Sequence, residues 1–313
     1  NNTNSNKFLL HYYLTEDKHN MDANVRNACE KEFLSIIRTI SEELNLYIDV
    51  QVEAKNEGSI VEWYDFFVSY EGTFLFQLGT FVVNIIQLFM TKKSKTDKEE
   101  QQLRIEYLKL LIEKSKEEGK SKNVELTSIN EDKTFRMIKE DSKLKKQRSN
   151  FYEKLQKEKD LISIEFSAAD NNYSPISVIN INREDFSLFI LESNELAPIE
   201  IENATIEIIS PVLKKGNDKW SGIFKGEKIS FSMKSNEFKT LVQIGEIEFK
   251  NGSSINCHLQ INKLIDNDGN EKIKSYDVKS VNSYFNNEQP VETPEGKRNR
   301  QKKEYEKMQL NLF

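Results

Sequence analysis

No glycine-rich phosphate cradle occurs in this chain. Its eleven glycines are scattered, with no G-x-x-x-x-G-K-[ST] and no G-x-G-x-x-G, which disfavours a P-loop or a dinucleotide site. Histidine and cysteine are scarcer still: His11, His19 and His258, and Cys29 and Cys257. No C-x-x-C or H-E-x-x-H spacing joins them, and the neighbours Cys257 and His258 point to opposite faces of a strand. No metal site and no cofactor is therefore expected. Two cysteines in segments of different type argue against a disulfide framework and for a reducing, cytoplasmic compartment. The first fourteen residues have a short apolar run and no small-residue cleavage site, so no signal peptide is expected. Excess positive charge is also lacking. The formal net charge is −6, so the chain as a whole is not built to wrap nucleic acid.

Hydrophobic residues make up 37% of the 313 positions and charged residues 31%, enough for a substantial core in two domains. The segment 7–14, KFLLHYYL, reads as a buried strand. Residues 20–44 then place Met21, Val25, Cys29, Phe33, Ile36, Ile37, Ile40 and Leu44 on one helical stripe, with Asn20 as N-cap. The segment 47–54 alternates as a half-buried strand. Ser59 and Glu62 have capping-box spacing, which predicts a helix carrying Trp63, Phe66 and Phe67. Residues 73–90 are the most apolar stretch, near the lower limit for spanning a bilayer. Gln77, Asn84 and Gln87 interrupt it on one face, which favours a core or oligomer-interface helix over a membrane-inserting one.

From 92 to 160 the pattern is helical and locally basic, with 20 Lys plus Arg against 15 Asp plus Glu. Leu103, Tyr107, Leu110 and Leu111 are expected on one helical face. The densest basic patch holds Lys143, Lys145, Lys146 and Arg148, the candidates for weak nucleic-acid contact. After 160, short alternating segments separated by turn signals predict an antiparallel barrel or sandwich, with a short helix across it near 235–245. Trp220, Phe224 and Phe231 fit its core better than a ligand face. The expected organisation is α+β: an α/β domain with long helices (1–160), a β-rich barrel-like domain (161–287), and a flexible tail (288–313).

Catalytic candidates are few. His19, Asp22 and Cys29 can be drawn as base, orienter and nucleophile, but Cys29 sits on the apolar stripe, where a buried inert thiol is the ordinary outcome. Asp266 and Asp268, beside Gly269, first suggest a hairpin turn. A binding protein rather than an enzyme is expected.

The tail ends in QLNLF. Gln309, Leu310, Leu312 and Phe313 resemble the Gln-Leu-x-Leu-Phe peptide by which bacterial DNA polymerases, repair proteins and replication regulators dock on the sliding clamp, with Asn311 at the tolerant middle position. The resemblance covers five residues and implies nothing about the fold of the rest. It implies a bacterial protein recruited to replicating DNA through this partner, in repair or in anti-phage defence. Two alternatives stand beside it: a membrane-acting or pore-forming defence effector using the 73–90 helix, and a terminal helix that packs Tyr305, Met308 and Leu312 onto the body.

Overall fold

The computed structural model describes the chain except for residues 1–5, 17, 19, 53–59, 92–97, 171, 215, 217, 251, 287–288 and 311–313. The class is α+β, with a closed five-stranded barrel in the C-terminal part. The chain forms two compact units. The first holds residues 1–193 and 267–270, and the second holds 194–266 and 271–313. The expected boundary at 160 therefore moves to 193/194. The cause is pairing: the strands that follow 160 complete the first sheet.

In the first unit, β1 (Asn6–Leu14), β2 (Tyr47–Val52), β3 (Val61–Tyr70), β5 (Leu161–Ala169) and β6 (Pro175–Asn182) form an antiparallel sheet in the order β2-β3-β1-β5-β6. The short β4 (Thr73–Phe74) pairs with β3. One face carries Phe8, Leu10 and Tyr12 of β1, Tyr64, Phe66 and Val68 of β3, and Ile164 and Phe166 of β5, all buried in one core with the helices.

The helix α1 (Ala23–Leu44) contributes the predicted stripe, with Cys29, Phe33, Ile36, Ile37, Ile40 and Leu44 buried. Its N-cap is Asp22 rather than Asn20; the carboxylate accepts from the backbone N–H of Asn24 at 2.7 Å and of Val25 at 3.3 Å. The helix expected after residue 59 is instead strand β3. Its true period is two: Glu62, Tyr64, Phe66, Val68 and Tyr70 are buried while the residues between them are only half-buried. Ser59 lies outside the described residues, and Glu62 does not cap anything.

The apolar stretch forms α2 (Phe76–Thr91), a helix buried nearly all round in the first core. Its N-terminal N–H groups at Phe76 and Gln77 donate to the Glu118 carboxylate, at 2.9 and 2.7 Å, an anion placed where the helix dipole favours one. Two of the three polar residues that interrupt it, Asn84 and Gln87, are buried against protein. Asn84 donates to the Thr80 carbonyl at 2.7 Å, and Gln87 donates to the carbonyls of Phe166 and Ser177 at 2.8 and 3.1 Å. Among the described residues no helix is long and apolar enough to cross a membrane.

The remaining helices are α3 (Lys98–Ser121), α4 (Glu131–Glu140) and α5 (Ser142–Leu155). On α3 the buried hydrophobic residues among those described are Leu108, Leu111 and Ile112, whereas Leu103, Tyr107 and Leu110 are exposed. The expected face is thus rotated, and only Leu111 of the four named residues packs inward.

The second unit is the barrel: β7 (Glu195–Ser210), β8 (Trp220–Phe224), β9 (Glu227–Met233), β10 (Ser254–Ile265) and β11 (Glu271–Asn286). The circuit runs β7-β8-β9-β11-β10 and closes on β7. One pairing departs from the antiparallel expectation, since β9 and β11 are parallel, with Phe231 opposite Tyr276. The helix α6 (Asn236–Gln243) lies between β9 and β10 in sequence, capped by Ser235, whose hydroxyl accepts from the Phe238 N–H at 3.1 Å. Trp220, Phe224 and Phe231 fill the core with Phe238 and Val242. The segment 246–250 is irregular; Phe249 packs its ring edge-on to Trp220 at 5.7 Å between centroids. The stretch from 288 onward, expected to be flexible, carries β12 (Gln289–Glu292) and α7 (Pro294–Leu310).

Candidate docking site

The first turns of α7 are tied to the barrel by polar groups. Thr293 is buried and accepts from the Gly296 N–H at 2.9 Å. The Glu295 carboxylate accepts from the Ser235 hydroxyl at 2.7 Å and the Val281 N–H at 3.0 Å. Gly296 is needed there: a Cβ would lie 2.0 Å from the Asn282 carbonyl oxygen. Arg298 pairs with Glu237, Asn299 donates to the Ser280 hydroxyl at 3.2 Å, and Lys303 meets Glu202 at 2.6 Å.

Beyond Lys303 the ties end. Every residue from 301 to 309 is exposed, including Tyr305 at 64% and Met308 at 67%. The terminal-helix alternative required Tyr305 and Met308 to pack inward, and they do not. Gln309 lies on this exposed run, Leu310 is the last helical residue, and Leu312 and Phe313 lie outside the described residues.

The basic patch behaves differently. Lys146 is buried at 3% exposure, and Lys145 is half-buried. The Arg148 guanidinium donates to the Phe89 carbonyl at 2.9 Å and lies 4.8 Å from the centroid of that ring, and burial lowers its pKa. Lys143 faces Glu42 at 3.4 Å. Two of the four candidate side chains are thus part of the packing of α5, and the four do not form one phosphate-facing surface.

Of the imagined triad, the two described members have other roles. His19 lies outside the described residues, Asp22 caps α1, and Cys29 is fully buried, with its thiol pushed up to about 12 by desolvation. Cys29 is expected to resist thiol reagents in the native protein and to label once urea unfolds it. Rapid stoichiometric labelling under native conditions would contradict this. Cys257 is likewise buried, whereas His258 turns outward and lies 2.8 Å from Glu200. Asp266 pairs with Lys272 at 2.7 Å, and no metal-holding cluster of carboxylates, histidines and cysteines occurs among the described residues.

A buried ionic cluster of the first unit centres on Glu62. It is fully buried on the core side of the sheet, 2.5 Å from Arg26 Nε, and accepts from the Tyr64 hydroxyl at 2.8 Å and the Tyr12 hydroxyl at 3.4 Å. Its position between α1 and β3 makes it a structural tie.

One arrangement was not singled out in the sequence. A cavity of about 350 Å³ in the second unit is lined by Lys214, Asp218, Trp220, Ser232, Lys234 and Lys239, among others. The signal that marks it is local: residues 214–239 hold seven lysines against three carboxylates. Comparison with known proteins returns no matching family model, no matching curated protein and no matching solved structure.

Proposed function

We propose that the chain is a non-enzymatic bacterial binding protein recruited to replicating DNA through a sliding-clamp-docking peptide, Gln309 to Phe313. The observation that carries this reading is the exposure of α7 from residue 301 to 309, which leads to the QLNLF sequence without burying its approach. Peptide docking of this kind works by placing apolar anchors in a preformed pocket, and a helix anchored at one end limits the entropy lost on binding. Micromolar affinity is the expected range for two or three anchors. The barrel is compatible with the same setting. Its circuit, with a helix between the third and fourth strands, is that of OB-fold barrels, which carry oligonucleotides and oligosaccharides, although a fold assigns no function by itself.

The membrane-acting alternative relied on residues 73–90, and α2 is enclosed in the first core. No observation favours it over docking. Size-exclusion chromatography of the full chain with a bacterial sliding clamp tests the proposal. Co-elution is expected for the full chain and is lost when residues 309–313 are removed. Co-elution that survives the deletion, or none with the intact chain, would overturn it.

A further inference from the structure

A cavity of about 330 Å³ opens in the first unit where α2, α3 and the edge strand β6 meet. That volume lies at the small end of ligand cavities, which run from about 300 to 1,000 Å³. Asn84 and Gln87 line it from α2, three residues apart and so on one helical face. Both are more than nine-tenths buried, at 7% and 3% exposure.

Their hydrogen bonds fix which end of each carboxamide is left for the cavity. The Asn84 NH2 group donates to the Thr80 carbonyl at 2.7 Å, and the Gln87 NH2 group to the carbonyls of Phe166 and Ser177 at 2.8 and 3.1 Å. Reversing either carboxamide would set oxygen against oxygen, so the orientation is determined by the backbone. Among the described residues, no donor then reaches Asn84 Oδ1 or Gln87 Oε1. Neither oxygen is sealed from solvent, unlike Oε1 of Gln147 and of Gln260. In side chains this buried, the accessible oxygens are what α2 presents to the cavity.

Two acceptors without donors ask for a ligand that brings N–H or O–H groups. The walls ask for more. Leu88 and Leu108 from the helices and Ile176 and Ile179 from the strand are apolar. Tyr107 adds a hydroxyl, and burial raises its pKa, so the phenol stays protonated and donates. The Arg104 guanidinium also reaches the wall, with Thr91 Oγ1 at 3.4 Å among its acceptors. Two carboxamide oxygens disfavour a carboxylate, and a bare ammonium ion would leave the apolar walls unused. The complementary shape is a neutral ring with apolar faces, N–H groups on one edge and a carbonyl oxygen on another.

We propose that this cavity binds a small cyclic amide, a lactam heterocycle of the hydrogen-bonding type found in uracil and hypoxanthine. Its N–H groups meet the oxygens of Asn84 and Gln87, and its carbonyl accepts from the Tyr107 hydroxyl. The aliphatic walls of α2, α3 and β6 cover its two faces. The site lies wholly within the first unit and is independent of the tail peptide.

The test titrates uracil and hypoxanthine, separately, into the full chain, followed by calorimetry and by ligand-observed NMR. Saturable binding of at least one of them is expected. The matched N-methylated compound, 1,3-dimethyluracil or 1,9-dimethylhypoxanthine, should bind at least about tenfold more weakly, since a buried acceptor is left unmet. Asn84→Leu should weaken binding to a similar degree. Ile176 is 47% exposed, so Ile176→Trp should fill the mouth of the cavity without disturbing the core, leaving the melting temperature unchanged and binding abolished. That variant keeps the test decisive if Asn84→Leu fails to fold. No binding of either heterocycle would show that the cavity holds only water and would overturn the proposal. Equal binding of the N-methylated compounds, or binding that survives Ile176→Trp, would also overturn it.

Discussion

A chain carrying Leu312→Ala and Phe313→Ala together is expected to lose all measurable association with a sliding clamp and to melt at the parent temperature. Each apolar anchor contributes about 1.5–3 kcal/mol when buried in a pocket. Losing both therefore removes at least about 3 kcal/mol, or roughly a hundredfold in affinity, which takes a micromolar complex beyond detection. Folding is expected to be spared because α7 is already exposed from residue 301 to 309, so the core does not depend on the segment that leads to these residues. Lys302→Ala with Lys303→Ala should weaken clamp binding only slightly and in a salt-dependent manner, since exposed charges are screened. A fall of several degrees in the melting temperature of the Leu312, Phe313 double variant, read by calorimetry or circular dichroism, would instead show that the anchors pack on their own protein.

The second large effect is on stability. Arg26→Ala leaves Glu62 buried without its cation, and breaking such a pair costs about 3–5 kcal/mol. Arg26 itself is 43% exposed, so water takes up part of the loss and the lower end is expected. Glu62→Gln should cost less, because an amide still accepts from the Tyr64 hydroxyl and the charge left unpaired, on Arg26, reaches water. Urea titration at neutral pH measures both, and equal midpoints for parent and Arg26→Ala would contradict the assignment.

The same cluster predicts alkaline sensitivity. Burial, followed by the Glu62 carboxylate, holds Tyr12 and Tyr64 well above the usual phenol pKa. Unfolded tyrosines titrate near about 10. This contribution is fully present below that value and is lost as pH rises above it toward the folded pKa values, so the urea midpoint should fall above about pH 10.

Much of this fold was legible where burial follows a simple period. The α1 stripe from Cys29 to Leu44 and the alternation of β7, β8 and β9 are of that kind. β3 was misread because Glu62 sits three residues after Ser59 and mimics a capping box, while Trp63, Phe66 and Phe67 also fit helical spacing. The deciding interaction, a carboxylate held by Arg26 and two tyrosines, is tertiary and leaves no local trace. The boundary at 193/194 was hidden for a related reason. β5 pairs with β1, about 150 residues earlier, and no local composition records that. α7 buries no apolar side chain among the described residues; Thr293, Glu295 and Gly296 place it through contacts to β11 and the α6 cap. The Lys143–Arg148 run shows that a dense charge count does not fix exposure. The lysines of 214–239 were visible as residues, but only the barrel circuit brings Lys214, Lys234 and Lys239 around one cavity.

Clamp recruitment is the central claim, and calorimetric titration of a peptide spanning residues 300–313 into a bacterial sliding clamp tests it most directly. Saturable binding in the micromolar range, abolished by Leu312→Ala with Phe313→Ala, is the predicted result. No heat of binding at high micromolar peptide, or equal binding by the doubly substituted peptide, would contradict it.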